Sequence, residues 1–154
     1  MRRRHQHHEP RLIVRRKEIT PECIRAVSAS TDYSWPACWT STPSNVLDRD
    51  ETTEWSTRSP AWIRLDLGPS APCVSRIELL PSMTDQGGSA ECRIMMGMHM
   101  AAMDPVMIMG GICAHRRWLE CNLNQSKRAR YLEIHTVDAP KWTGWIRIRV
   151  WTER

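Results

Sequence analysis

Apolar and polar positions alternate with a period of two along most of the chain. In "WIRLDLG", Ile63, Leu65 and Leu67 oppose Trp62, Arg64 and Asp66, and a glycine follows. Period two places successive side chains on opposite faces of a strand, so this segment is expected to bury one face. "VSRIELLP" places Val74, Ile77 and Leu79 towards a core and stops at Pro81. "IRAVSAS", "ECRIMMG", "RWLECNL", "ARYLEIHTV" and "WIRIRVW" read as further short strands, and Leu12–Val14 as a first one. In the last segment Ile146, Ile148 and Val150 are expected to share one face, with Arg147, Arg149 and Trp151 on the other. "TDQGGS" reads as a turn. The methionine-rich run 98–109 reads as core filler or irregular loop, because Pro105 and Gly110–Gly111 interrupt any long helix. No 3.6-residue period is sustained. The pattern predicts an all-β antiparallel sandwich of about eight strands.

Composition sharpens this picture. A chain of 154 residues is one domain's worth. The formal net charge is +5, and residues 1–20 carry all of it with seven basic and two acidic side chains. The expected division is a basic, partly disordered arm over 1–20 and a β-sandwich over 21–154. The arm could touch nucleic acid, acidic lipid or an acidic partner, whereas the body has no nucleic-acid reader motif. Phenylalanine is absent while eight tryptophans are present, so indoles must supply the aromatic volume of the core. The six cysteines, at 23, 38, 73, 92, 113 and 121, show no CxxC spacing and are expected to be reduced. No apolar run approaches the length of a membrane span, and Leu12–Val14 is too short for a signal-peptide core. These features lead to the expectation of an intracellular, cytoplasmic protein.

"SNVLDRDETTEW", residues 44–55, crowds Asp48, Asp50 and Glu51 into four positions. Carboxylates so close repel unless a cation, a hydrogen-bond donor or water answers them. Asp48 and Asp50 are two residues apart in a loop and do not oppose one another across a substrate as glycosidase acids do. There is no Cys–His or Ser–His pair in a nucleophile context and no phosphate-binding loop. No enzymatic activity is expected.

The order and spacing of these segments, from Cys23 to Trp151, resemble the discoidin, or coagulation-factor C-type, domain of the galactose-binding-like jelly-roll superfamily. The resemblance implies an eight-stranded jelly roll that binds sugars, lipids or proteins through loops at one end. It also implies a calcium loop, to which Asn45, Asp48, Asp50, Thr53 and Trp55 correspond. Calcium favours six to eight hard oxygens, and Asp48, Asp50 and Thr53 could offer several. Arg49 stands where that pattern has glycine, and Arg147 where relatives place a glutamate. A guanidinium cannot ligate a cation but could pair with Asp48 or Asp50. A metal-free structural loop is therefore expected, with calcium as the alternative and Trp55 as a core indole.

Three loops are candidates for contact with a ligand or partner. The first carries Tyr33, Trp35 and Trp39, the second spans Met83–Ala90, and the third holds His115, Arg116 and Arg117. The Arg147 and Arg149 face of the last strand is a further candidate. The expected function is a non-enzymatic module in an intracellular protein–protein assembly, a subunit of a larger complex. The alternative is a lectin-like carbohydrate-binding module with a structural calcium.

Overall fold

The computed structural model describes residues 15–28, 42–57, 60–82, 88–113, 116–138 and 143–153. Among the described residues ten strands follow one another: β1 (Arg16–Glu18), β2 (Arg25–Ser28), β3 (Trp55–Thr57), β4 (Ala61–Asp66), β5 (Cys73–Pro81), β6 (Gly88–His99), β7 (Ala102–Cys113), β8 (Leu119–Arg128), β9 (Tyr131–Asp138) and β10 (Thr143–Glu153). The two beyond the expected eight include the three-residue β1 and β3. Sheet A runs β1-β10-β5-β8, with β3 also on β10, and sheet B runs β2-β4-β9-β6-β7. Every pairing is antiparallel. Leu12–Val14 lie outside the described residues. β1 lies just after them, inside the segment expected to be an arm, and Ile19 N–H donates to Val150 O at 2.8 Å.

The alternation of β4 is realised: Ile63 and Leu65 are fully buried, and Ile134, Leu132, Ile94 and Met96 meet them on sheet B. Sheet A supplies Val74, Ile77, Leu79, Ile148 and Val150. Burying these side chains between two sheets is the main favourable term, about 1.5–3 kcal/mol for each large one. Val74 and Ile77 both face inward although they are three positions apart, because β5 takes two steps, Arg76 to Val74, where β10 takes one, Trp151 to Thr152. Such a bulge adds one residue to one strand and reverses its alternation.

A second shift, between Trp145 and Arg147 on the β5 side of β10, corrects the face expected for that strand. Trp145, Ile148 and Val150 join the core cluster, while Ile146 is buried outside it. The methionine-rich run is in part the core filler expected, and it is strand rather than irregular loop. It forms the β6–β7 hairpin, with Met107 and Met109 packed on the core and Met98 and Met100 exposed near the turn. Pro105 is tolerated because β7 is an edge strand.

At the end where β4 gives way to β5, Asp66 accepts two bonds from Arg130, from Nε at 3.1 Å and Nη2 at 3.2 Å, and one from Gly68 N–H at 2.9 Å. Gly68 has φ +94°, a conformation that favours glycine. The Arg130 hydrogen bond, above all, holds the Asp66 carboxyl below its ordinary value. A carboxylate depressed in the folded state stabilises above its unfolded pKa of about 3.9, and the contribution is lost as pH falls through the folded value. Thermal melts from about pH 6 to about pH 3 should therefore show a shallower acid decline for Asp66→Asn than for the wild type. Identical slopes would mean that the pair contributes nothing to acid sensitivity.

Four cysteines fall within the described side chains, all free: Cys23 and Cys73 exposed, Cys92 and Cys121 buried. Burial, with a smaller push from Cys92, raises the Cys121 thiol to about 12, so it stays protonated beside Met109 Sδ at 3.0 Å. It behaves as a small core residue rather than a nucleophile.

Candidate functional site

Strand register fixes which connections share an end of the sandwich. β2, β3, β5, β7 and β9 finish, and β4, β6, β8 and β10 begin, at one pole, as the pairs Ser28↔Ile63, Thr57↔Thr143, Trp145↔Pro81, Leu79↔Leu119 and Glu91↔Asp138 require. Of the residues expected to contact a ligand, Tyr33, Trp35, Trp39 and His115 lie outside the described residues, as does most of Met83–Ala90. Arg116 and Arg117 are described, and both are exposed.

The 42–54 loop is anchored by a 3-10 turn, Pro43–Val46, whose Val46 is fully buried. Thr42 Oγ1 donates to Asn45 Oδ1 at 3.1 Å, and Asn45 Nδ2 donates to Glu54 O at 2.9 Å, closing the loop at its base. Asp48 Oδ1 accepts from Asp50 N–H at 3.1 Å, and its Oδ2 accepts from the Thr53 hydroxyl at 2.6 Å. Asp50 Oδ1 accepts from the Thr52 N–H at 2.9 Å and from its hydroxyl at 2.6 Å. These are Asx-type turns, in which a short carboxylate caps backbone two residues on. The Thr52 hydroxyl, then the Thr52 amide, holds the Asp50 carboxyl below its ordinary value. Asp48 and Asp50 are thus answered by threonines and amides of their own loop. Among the described residues no three Asp, Glu, His or Cys side chains converge to hold a metal ion.

The arginines settle differently from expectation. Arg147 does not reach Asp48 or Asp50. It stands on β10 opposite Leu80, and its Nε is buried with no acceptor. Sheet pairing decides its position, which linear spacing could not supply. Arg49 instead approaches Glu22 at 3.8 Å on the surface. Arg116 joins the two candidate loops: its Nη1 donates to Glu51 O at 3.1 Å, and its Nη2 lies 3.9 Å from Glu51 Oε2. Its own N–H donates to Pro81 O at 2.9 Å, and its φ is +58°, in the left-handed region that non-glycine residues seldom adopt. Strained backbone of this kind clusters at functional sites.

Beside Arg116 and Arg117 the outer face of sheet A carries a second feature. The Arg149 guanidinium lies 4.3 Å from the Trp118 ring centroid, and its Nε is 3.8 Å from Glu18 Oε1. Stacking on the guanidinium fixes the orientation of the indole. The assembled surface therefore joins hydrogen-bond donors of Arg116 and Arg117 to an oriented, half-buried aromatic ring. Such a surface suits a ligand that has apolar faces and many hydroxyls.

Two antiparallel sheets in this order form a jelly-roll sandwich, the fold that the resemblance implied. No family pattern matches the chain, and no curated protein does. Solved structures do match. The family 32 carbohydrate-binding module from C. perfringens NanJ, in complex with galactose, aligns over 88% of this chain and 98% of its own, with TM-score 0.70 and 16% identity. The CBM32 of AlyQ in complex with 4,5-unsaturated mannuronic acid aligns over 82% and 92%, with TM-score 0.66 and 19% identity. A pectin-binding carbohydrate-binding module aligns over 82% and 88%, with TM-score 0.68 and 16% identity. These neighbours correct the expected function: they are carbohydrate-binding modules, and none of the three is described as a subunit of an intracellular protein assembly. That expectation leaned on the short Leu12–Val14 apolar run, the cysteines without obvious pairing and the arginines at the 44–55 loop, none of which identifies a ligand.

Proposed function

We propose that this protein is a non-catalytic carbohydrate-binding module that holds saccharide at the loop pole around Arg116, Arg117 and Trp118. The observation that carries the reading is the near full-length match, 88% of this chain and 98% of the other, to a module in complex with galactose. The Arg116 bridge and the Arg149–Trp118 stack support it, because guanidinium donors beside an indole suit the hydroxyls and C–H faces of a sugar. A glycan array followed by calorimetry on the best saccharide tests it. Wild-type protein is expected to be retained on at least one saccharide, and Arg116→Ala to weaken that binding about tenfold, roughly 1.4 kcal/mol. No retention on any saccharide would end this reading.

The 42–54 loop belongs to the scaffold of this site, held by its own threonines without calcium. Calorimetry on chelator-treated protein should show no calcium binding tighter than about 1 mM, whereas a micromolar site with a rise in Tm would restore the metal. Asp48→Ala should lower stability by roughly 1–3 kcal/mol, because Asp50 N–H loses its acceptor and Thr53 Oγ1 keeps only the Asp50 carbonyl at 3.0 Å. An unchanged melt would show that the loop does not need Asp48.

A further inference from the structure

Sheet B has an outer face that the loop-pole reading leaves unused. Its central rows are each in register across four strands: Val27↔Arg64↔Glu133↔Met95 and Trp62↔His135↔Arg93↔Ile108. Glu133 is 4% exposed, an unusual degree of burial for a carboxylate on the side of a sheet away from the core. Arg64 Nε donates to Glu133 Oε2 at 2.8 Å, and His135 Nε2 is hydrogen-bonded to Glu133 Oε1. The same Arg64 guanidinium lies 4.6 Å from the Trp62 ring centroid, and its Nη1 meets Met100 Sδ at 3.2 Å. One buried acid thus locks an arginine, an imidazole and an indole in fixed positions on a sheet surface.

The surroundings of this cluster are apolar. The large hydrophobic side chains left most exposed among the described residues are Val27, Met98, Met100, Ile108 and Val137, at 45%, 44%, 54%, 65% and 40%. All five belong to sheet B or its β6–β7 turn, and none to sheet A. The polar groups that remain accessible on the Trp62 row are the His135 imidazole, held by Glu133, and the Arg93 guanidinium. His135 is 38% exposed and Arg93 49%, and Arg93 has only a 3.5 Å contact with Glu91. Glu133 is already engaged by Arg64 and His135 and offers nothing outward. From β4 to β7 the row crosses three strand spacings, roughly 14 Å at about 4.8 Å each. A preorganised surface of this length, with an indole, an apolar border and the exposed Arg93 guanidinium, complements a chain of sugar rings that bears carboxylates.

We propose that the outer face of sheet B, centred on Trp62, Arg93 and His135, is a second saccharide-binding surface that takes an extended stretch of acidic polysaccharide. It is separate from the loop pole and does not depend on that site being correct. The test is a heteronuclear NMR titration of the isotope-labelled full chain with pectin-derived oligogalacturonides and, separately, with alginate oligosaccharides. Shifts are expected at the Trp62 indole N–H and at the Ile108 and His135 amides. Arg93→Glu, an exposed substitution, is expected to weaken those shifts at least tenfold in apparent Kd, while Arg116→Ala leaves them in place. Shifts confined to Arg116, Arg117 and Trp118 would keep the loop-pole reading and overturn this one. No shift with either probe would overturn it as well. So would a dimer in size-exclusion chromatography with light scattering that Ile108→Glu dissociates, because the face would then be a contact between copies.

Discussion

Trp55→Ala is expected to lower the stability of this domain by about 4 kcal/mol, within the usual 3–5 kcal/mol cost of truncating a buried aromatic. Trp55 is 2% exposed and stands directly opposite Trp145, also 2% exposed, where β3 meets β10. With no phenylalanine in the chain, these indoles fill the volume that joins the short β3 to the long strand at the sheet centre. Removing one leaves a cavity that the neighbouring strands cannot close without losing register. Its backbone O also lies 3.1 Å from the place a Cβ would take on Gly144, so the two strands approach too closely there to slide. Chemical denaturation should show a lower midpoint with an unchanged slope, and Trp55→Phe should recover more than half of the loss. A midpoint within experimental error of wild type would remove Trp55 from the core.

Arg64→Ala is expected to cost about 3 kcal/mol, the lower end of the range for breaking a buried ion pair by removing one partner. The side chains of Arg64 and Glu133 are 18% and 5% exposed, so little solvent screens the pair. Once Arg64 is gone, Glu133 keeps only His135, and the desolvated carboxylate must be partly rehydrated or protonated. For a domain of this size Tm should fall by roughly 6–12 °C. The double substitution Arg64→Met with Glu133→Leu should restore most of it, because a pair of apolar side chains carries no desolvation penalty. If the single variant melts like wild type, the pair is better solvated than its burial indicates. If the double variant is no better than the single one, packing by Arg64 rather than charge is what matters.

The two clusters differ in how far the sequence announces them. Trp55 closes a recognisable run of threonines and acids, and its burial follows from the strand it begins. The alternation of Ile63, Leu65 and Leu67 is equally plain, because a strand buried on one face must repeat every second residue. Arg64, Glu133 and His135 are invisible to the same reading. The Arg64–Glu133 contact spans 69 residues along the chain, and only the β4–β9 register brings Arg64 to the Glu133–His135 pair. The bulges in β5 and β10 are hidden for a related reason: an extra residue is defined against a partner strand, not along its own. Arg147 is the clearest instance, since the resemblance places it near the acidic loop while the shifted register sets it opposite Leu80. The threonines of the 42–54 loop are a middle case. Their spacing is as compatible with a cation cage as with Asx turns, and only the hydrogen-bond partners separate the two.

The pairing of β1 with β10 also fixes how this domain bears load. Arg16 lies opposite Glu153, so the chain enters and leaves at adjacent points, at the pole away from Arg116. Tension between the two ends would pull across the ladder rather than along it. The bonds of the β1–β10 pair would then break singly and in order, beginning at Arg16, as a zipper opens. A ligand held at the far pole would feel that pull only after β1 had peeled away, and single-molecule extension from both ends should record a small first step before the sandwich yields.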